Sequence, residues 1–134
     1  MEVSANIDGF YALDRSGRVH EYQKGKEREV SEIYDAGFSG EIQRISAGQG
    51  FVAGLTQDGQ IVVLGDDEYG QHGDGKPGGN NGNKPSIVPL TVPVKAVHAG
   101  LKTVAAVTTD GDLYMWGRND RDIIPGAEKK VATP

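Results

Sequence analysis

The chain has 134 residues, a formal net charge of −5 at pH 7 and no cysteine. The acidic balance argues against a nucleic-acid binder, which needs clustered Lys and Arg to displace counterions from phosphate. The missing thiols exclude a disulfide scaffold, a cysteine nucleophile and a cysteine-ligated zinc site. No apolar run approaches a membrane span, and the opening MEVSANIDGF has neither the basic nor the apolar region of a signal peptide, so a soluble protein made in the cytoplasm is expected.

In chain order, the first element is the short apolar stretch VSA, Val3 to Ala5. GFYALDRSGRVHEYQ follows and reads as a hairpin turning at Gly17. Lys24, Lys26 and Arg28 come next, interleaved with Glu27 and Glu29, which marks a solvated strand end or loop rather than a basic patch. GKEREVSEIYDAG, Gly25 to Gly37, places Val30, Ile33 and Tyr34 on one side at helical spacing, enough for one or two turns. ISAG, Ile45 to Gly48, then repeats the opening pattern, and FVAGLTQDGQIVVLG repeats the hairpin, turning at Asp58-Gly59. After a long Gly, Asn and Pro-rich segment, Gly65 to Pro93, VHAG at Val97 to Gly100 and TVAAVTTDGDLYMWG repeat both once more, turning at Asp110-Gly111. An Asp-Gly pair at such a step predicts a two-residue type I′ turn, because glycine supplies positive φ without steric cost.

Aligned on Gly17, Gly59 and Gly111, the copies superpose their apolar positions: Leu13, Leu55 and Val107 before the turn, Val19, Ile61 and Leu113 after it, and Tyr22, Leu64 and Trp116 three residues on. The units begin at Val3, Ile45 and Val97 and divide a single domain, 1–134, into repeats 3–44, 45–96 and 97–134. In each, a small apolar strand suits a position where backbones approach closely, and a strand rich in Val, Ala and Leu suits burial on both faces. An alternating strand follows, and SIVPLTVPV or KKVATP supplies a Pro-flanked edge. Four short strands per unit at this period predict an all-β protein of three four-stranded propeller-type blades.

These residues resemble the repeat of the regulator-of-chromosome-condensation family, which has an Ala-Gly strand, a Leu-Thr-x-Asp-Gly hairpin, a Trp-Gly pair and a Gly-Gln-Leu-Gly turn. The second unit supplies Ala47-Gly48, Leu55-Thr56, Asp58-Gly59, Gly65 and GQHG at Gly70 to Gly73; the third supplies Ala99-Gly100, Val107-Thr108, Asp110-Gly111 and Trp116-Gly117. The first unit departs most, with Asn6 for Gly and Ser16 for the turn Asp. The resemblance implies a closed ring of about seven blades, whereas three leave blade faces bare, which favours association. The ring is then completed by a second copy or by other proteins in a larger assembly, or the three blades are a fragment of a longer protein.

Candidate chemistry is sparse. Gly70, Gly75 and Lys76 have phosphate-loop spacing, but Pro77 stands where the motif needs Ser or Thr, and no strand-to-helix context surrounds it. Asp66, Asp67, Glu68 and Asp74 fit no calcium-loop spacing. His20, His72 and His98 fall in different units without metal-ligand spacing, and Ser4 and Ser46 occupy equivalent repeat positions, which speaks for packing rather than nucleophilic attack. No catalytic residue, metal site or cofactor is therefore expected. Long loops in compact folds often carry function, so the expected partner contacts are Asp66, Asp67, Tyr69, His72, Lys76, Asn80 and Asn81 in the Gly65–Pro93 loop, with Trp116 and Arg118 on the third hairpin; Trp116 is otherwise core between blades. The function expected is non-enzymatic protein–protein interaction as an accessory subunit of a larger assembly, for which a bacteriophage decoration or tail protein in a virion is one setting. The partners are other subunits or a second copy, with no nucleic acid and no membrane insertion. The alternative implied by the resemblance is a regulator, such as a small-GTPase exchange factor or an enzyme inhibitor, acting through a closed oligomeric ring.

Overall fold

A computed structural model describes residues 2–6, 9–23, 25–38, 40–65, 85–88, 90, 92–100, 102–118 and 130–131. They form twelve strands in three sheets, each a meander in which every strand pairs antiparallel with its neighbour in sequence. The first sheet holds β1 (Glu2–Asn6), β2 (Gly9–Leu13), β3 (Val19–Gln23) and β4 (Lys26–Glu29). The second holds β5 (Ile42–Ala47), β6 (Phe51–Thr56), β7 (Ile61–Gly65) and β8 (Ser86–Ile87). The third holds β9 (Val94–Ala99), β10 (Thr103–Thr108), β11 (Leu113–Arg118) and β12 (Lys130–Val131). The architecture is thus all-β, with three propeller-type blades.

The repeat seen in the sequence is also a repeat of register. Val3 pairs with Ala12, Ile45 with Gly54 and Val97 with Ala106, so the three small apolar stretches occupy the same place in their sheets. A bulge recurs too: one residue, Gln43 in β5 and Lys95 in β9, is left over opposite the neighbouring strand, and both are exposed polar residues.

The hairpins between the second and third strands differ from the type I′ expectation. In the second sheet the Thr56 N–H donates to the Gln60 carbonyl at 2.9 Å and the Gly59 N–H to the Thr56 carbonyl at 3.1 Å. The loop is therefore three residues long: a type I turn followed by Gly59 at φ 83°, the glycine bulge. The third sheet repeats both bonds through Thr108, Asp112 and Gly111. The reason lies outside the Asp-Gly pair. Thr56 and Thr108 are buried, and the hydroxyl of each accepts the N–H four residues on, from Gln60 and Asp112, at 3.1 Å. In the first sheet Asp14 replaces the threonine, and its Oδ1 accepts from the Ser16 N–H, the Ser16 hydroxyl and the Arg18 N–H.

Two short elements in the first unit also acquire definite form. The charged KERE becomes β4, which satisfies its backbone against β3 while its side chains stay in water; Arg18 pairs with Glu29 at 2.7 Å and Arg28 lies 3.7 Å from Glu21. The helical spacing at Val30–Tyr34 becomes a 3-10 turn, Ser31–Ala36, ended by Gly37 in the left-handed conformation. Its six residues are too few to stabilise an α-helix, and the turn exists because Val30 and Ile33 bury completely in the core between the first and second sheets.

The core lies between sheets. Tyr11, Leu13 and Val19 of the first sheet meet Ile42, Ile45, Val52, Val62 and Leu64 of the second, with Val30 and Ile33 closing the edge. Phe51, Leu55, Ile61 and Val63 on the other face of the second sheet meet Val94, Val97, Val104, Ala106 and Trp116 of the third.

Candidate interaction surface

The first strands of successive sheets lie side by side, and the two junctions are held by the same bond. Ser4 Oγ accepts the Ala47 N–H at 2.8 Å, and Ser46 Oγ accepts the Ala99 N–H at 2.8 Å. The equivalent serines are thus structural: each hands an acceptor to the next sheet at the same register position. Glu2 adds a second tie in the first junction, accepting from the Ile45 N–H and the Arg44 guanidinium, each at 3.1 Å. The Lys102 ammonium donates to the Gln49 carbonyl across the second, at 3.0 Å. Gly48 shows how close the backbones run: a Cβ there would fall 2.6 Å from the Gly100 carbonyl oxygen.

Among the described residues, the stack leaves one face of the first sheet and one face of the third uncovered. On the first, Val3 is 58% exposed, whereas Ile45 at the same register position is 5% exposed and Val97 is buried. Phe10 and Tyr22 stack on this face with ring centroids 4.7 Å apart and remain partly exposed, although their counterparts Val52, Val104, Leu64 and Trp116 are buried. On the third sheet's open face Leu113 is 62% exposed, whereas Ile61 is 1% and Val19 is 0% exposed. Ala105, Val107 and Met115 share that face by strand alternation and are half-buried.

The polar clusters form no catalytic arrangement among the described residues. His20 sits beside the Phe10–Tyr22 stack with Nε2 2.8 Å from Asp14 Oδ2 and Nδ1 2.7 Å from Glu27 Oε1. Carboxylate oxygens only accept, so both ring nitrogens donate and the geometry is that of an imidazolium. Its pKa is raised, first by the hydrogen bond to Asp14 and then by that to Glu27. Asp14 is held well below the usual carboxylate range by the Ser16 hydroxyl first and His20 second. This cluster is not legible in the residue pattern, because Asp14 joins it only through the turn in which it stands for threonine. A groove lined by Ser16, Arg18, Glu29, Tyr34 and Glu41 lies nearby, but several of its polar groups are engaged: Ser16 with Asp14, Arg18 with Glu29, and the Tyr34 hydroxyl with the Gly17 carbonyl.

Of the residues singled out for contact, Trp116 and Arg118 lie among the described residues. Trp116 is fully buried in the core between the second and third sheets, because β11 directs it toward the second sheet; it holds the third sheet in place and presents no contact surface. Arg118 ends β11, paired with Lys130. Asp66, Asp67, Tyr69, His72, Lys76, Asn80 and Asn81 lie outside the described residues. The exposed apolar residues that sequence reasoning missed, Val3, Phe10, Tyr22 and Leu113, look like core positions in an alignment. The only signal for them is that the repeat has no further unit on either side within these residues.

No helix among the described residues is long and apolar enough to cross a membrane. A family model of the Regulator of chromosome condensation (RCC1) repeat matches residues 94–122, which include β9, β10 and β11. The ultraviolet-B receptor UVR8 of Arabidopsis thaliana is 34% identical over 82 residues, 57% of this chain and 17% of that protein. The secretion-regulating guanine nucleotide exchange factor of Bos taurus is 28% identical over 94 residues, 63% of this chain and 19% of that protein. The chain thus spans less than a fifth of either relative. Among solved structures, human WBSCR16 superposes on 100% of the chain with a TM-score of 0.80 at 20% identity, covering 38% of that protein. Prp20p of Saccharomyces cerevisiae, described with its binding properties to Gsp1p and histones, superposes on 99% with a TM-score of 0.73 at 22% identity, covering 37% of that protein. At these identities the superpositions speak for the fold.

Proposed function

The chain belongs to the regulator-of-chromosome-condensation repeat family, and from that premise we propose that it works by binding proteins, without catalysis of its own, through the open faces of its first and third blades. The observation that carries this reading is the exposure of Val3, Phe10, Tyr22 and Leu113 at positions whose counterparts are buried. Apolar residues grouped on a face and rimmed by charge, here Asp14, His20 and Glu27, are the mark of a docking surface. The Gly65–Pro93 loop remains a second candidate contact, on its length and composition. A virion role rests on chain size and the open ring; neither relative named above is a virion protein, and we set it below the general reading.

Site-specific photocrosslinkers at Tyr22 and Leu113 test the proposal in an extract of the source organism. Discrete adducts that excess unlabelled chain competes away are expected, with none from an equivalent probe at Gln60, which lies on a hairpin away from both faces. Absence of saturable adducts from either face overturns it. The regulatory alternative is favoured by one relative's being a guanine nucleotide exchange factor. Faster release of fluorescent GDP from a small GTPase on adding the chain would decide for it.

A further inference from the structure

The two internal junctions are one junction used twice. In both, a serine on the first strand of one sheet accepts the N–H of an alanine on the first strand of the next. In both, the residues after the hairpin turn on one side, Val19 and then Ile61, pack into a cluster that the other side builds from Ile45, Val52 and Leu64, and then from Val97, Val104 and Trp116. Advancing this arrangement by one more sheet asks two things. The third sheet must offer an acceptor at the serine position and apolar residues after its turn; the first must offer an alanine amide and three apolar residues to receive them.

Both halves are present. His98 stands at the serine position, exposed on β9, and an unprotonated ring nitrogen accepts a hydrogen bond as a hydroxyl does. Leu113 stands at the position of Val19 and Ile61, and Val107 at that of Leu13 and Leu55. On the first sheet Ala5 stands at the position of Ala47 and Ala99, and Val3, Phe10 and Tyr22 at the three apolar receiving positions. Among the described residues, Leu113, Val3, Phe10 and Tyr22 are the large hydrophobics that stand exposed.

We propose that the open face of the third blade docks on the open face of the first blade of a second copy of this chain, continuing the stack head to tail. The occupant is a second copy because one chain carries both complementary halves of a junction it already makes twice. Such a contact joins unlike faces, so it closes into a ring when the rotation allows and extends otherwise. This rests on the reading of these faces as docking surfaces and names their partner.

Light scattering of the full chain across a dilution series tests it, together with Val3→Glu and Leu113→Glu. Both residues are exposed in the single chain, so circular dichroism and the denaturation midpoint of dilute samples should match the wild type. The wild type is expected to associate to a discrete dimer or a ladder of multimers. Each variant alone places a carboxylate in every junction and is expected to raise the dissociation constant at least about tenfold. An equimolar mixture of the two variants retains one junction between unaltered faces, so it is expected to form a one-to-one heterodimer with wild-type affinity at that junction. A wild type that stays monomeric overturns the proposal, and so does a mixture that stays monomeric when the wild type associates, which marks a contact between like faces. Crosslinking to other polypeptides by a monomeric chain would leave the protein-binding reading standing while removing this one.

Discussion

β6 and β10 carry similar sequences, FVAGLT and TVAAVT, yet every residue of β6 is buried and β10 buries alternate residues. The hairpins that follow show the same contrast, Ile61 and Val63 being enclosed while Leu113 stands in solvent. A blade of this kind does not own its core. It contributes half of two cores, and its neighbours decide whether each half is covered. The third blade keeps apolar residues on a face that no described residue covers, so its composition exceeds what the packing of the described residues requires.

That contrast can be broken most severely at Trp116 and Tyr22, which occupy the same position in the third and first sheets. Trp116→Ala empties the second junction and should cost about 3–5 kcal/mol, whereas Tyr22→Ala loses little beyond its stack with Phe10, about 0.5–1.5 kcal/mol. Urea denaturation of dilute chain measures both. Next come Ile61→Ala and Leu113→Ala: the first should lose about 2–5 kcal/mol and the second should stay within about 0.5 kcal/mol in the same assay. Equal losses would show that the third face is covered in solution even when dilute.

Ser46→Ala should cost about 1–3 kcal/mol by leaving the Ala99 N–H without its acceptor, while His98→Ala should leave the dilute chain's midpoint unchanged. Loss of slow hydrogen exchange at Ala99 alone would localise the first effect. The smallest change expected is with pH. His20 has a raised pKa, so its contribution is fully present below the ordinary imidazole value and is lost as the pH rises through the raised one. Asp14 has a lowered pKa, so its contribution is present above the ordinary carboxylate value and is lost as the pH falls through the lowered one. His20→Asn should flatten the alkaline limb of the denaturation midpoint against pH, and an unchanged limb would deny the cluster any role in stability.

The period, the hairpins and the small first strands were legible because each rests on a local rule: glycine at a turn, alternation along a strand, small side chains at a close approach. The turn type was not, because Asp58-Gly59 reads as a two-residue loop until the Thr56 hydroxyl is seen to accept the Gln60 N–H. β4 was not, because KERE has no apolar alternation and is a strand only through pairing with β3. Trp116 reads from the sequence as either core or contact for a reason of context: alignment shows that a position is apolar, and only the neighbouring sheet shows that it is covered.

The serine-to-alanine bond gives the array a direction. Each internal junction joins a tongue, the hydroxyl of one unit, to a groove, the amide of the next, and neither matches itself. Gene duplication or recombination that moves a whole unit therefore conserves every junction, since what it opens on one side it closes on the other. A cut made within a unit separates tongue from groove and strands a half-built core. Arrays of this kind are free to change length in steps of one blade, and their sequences can drift apart on exposed edges while the seam keeps its register.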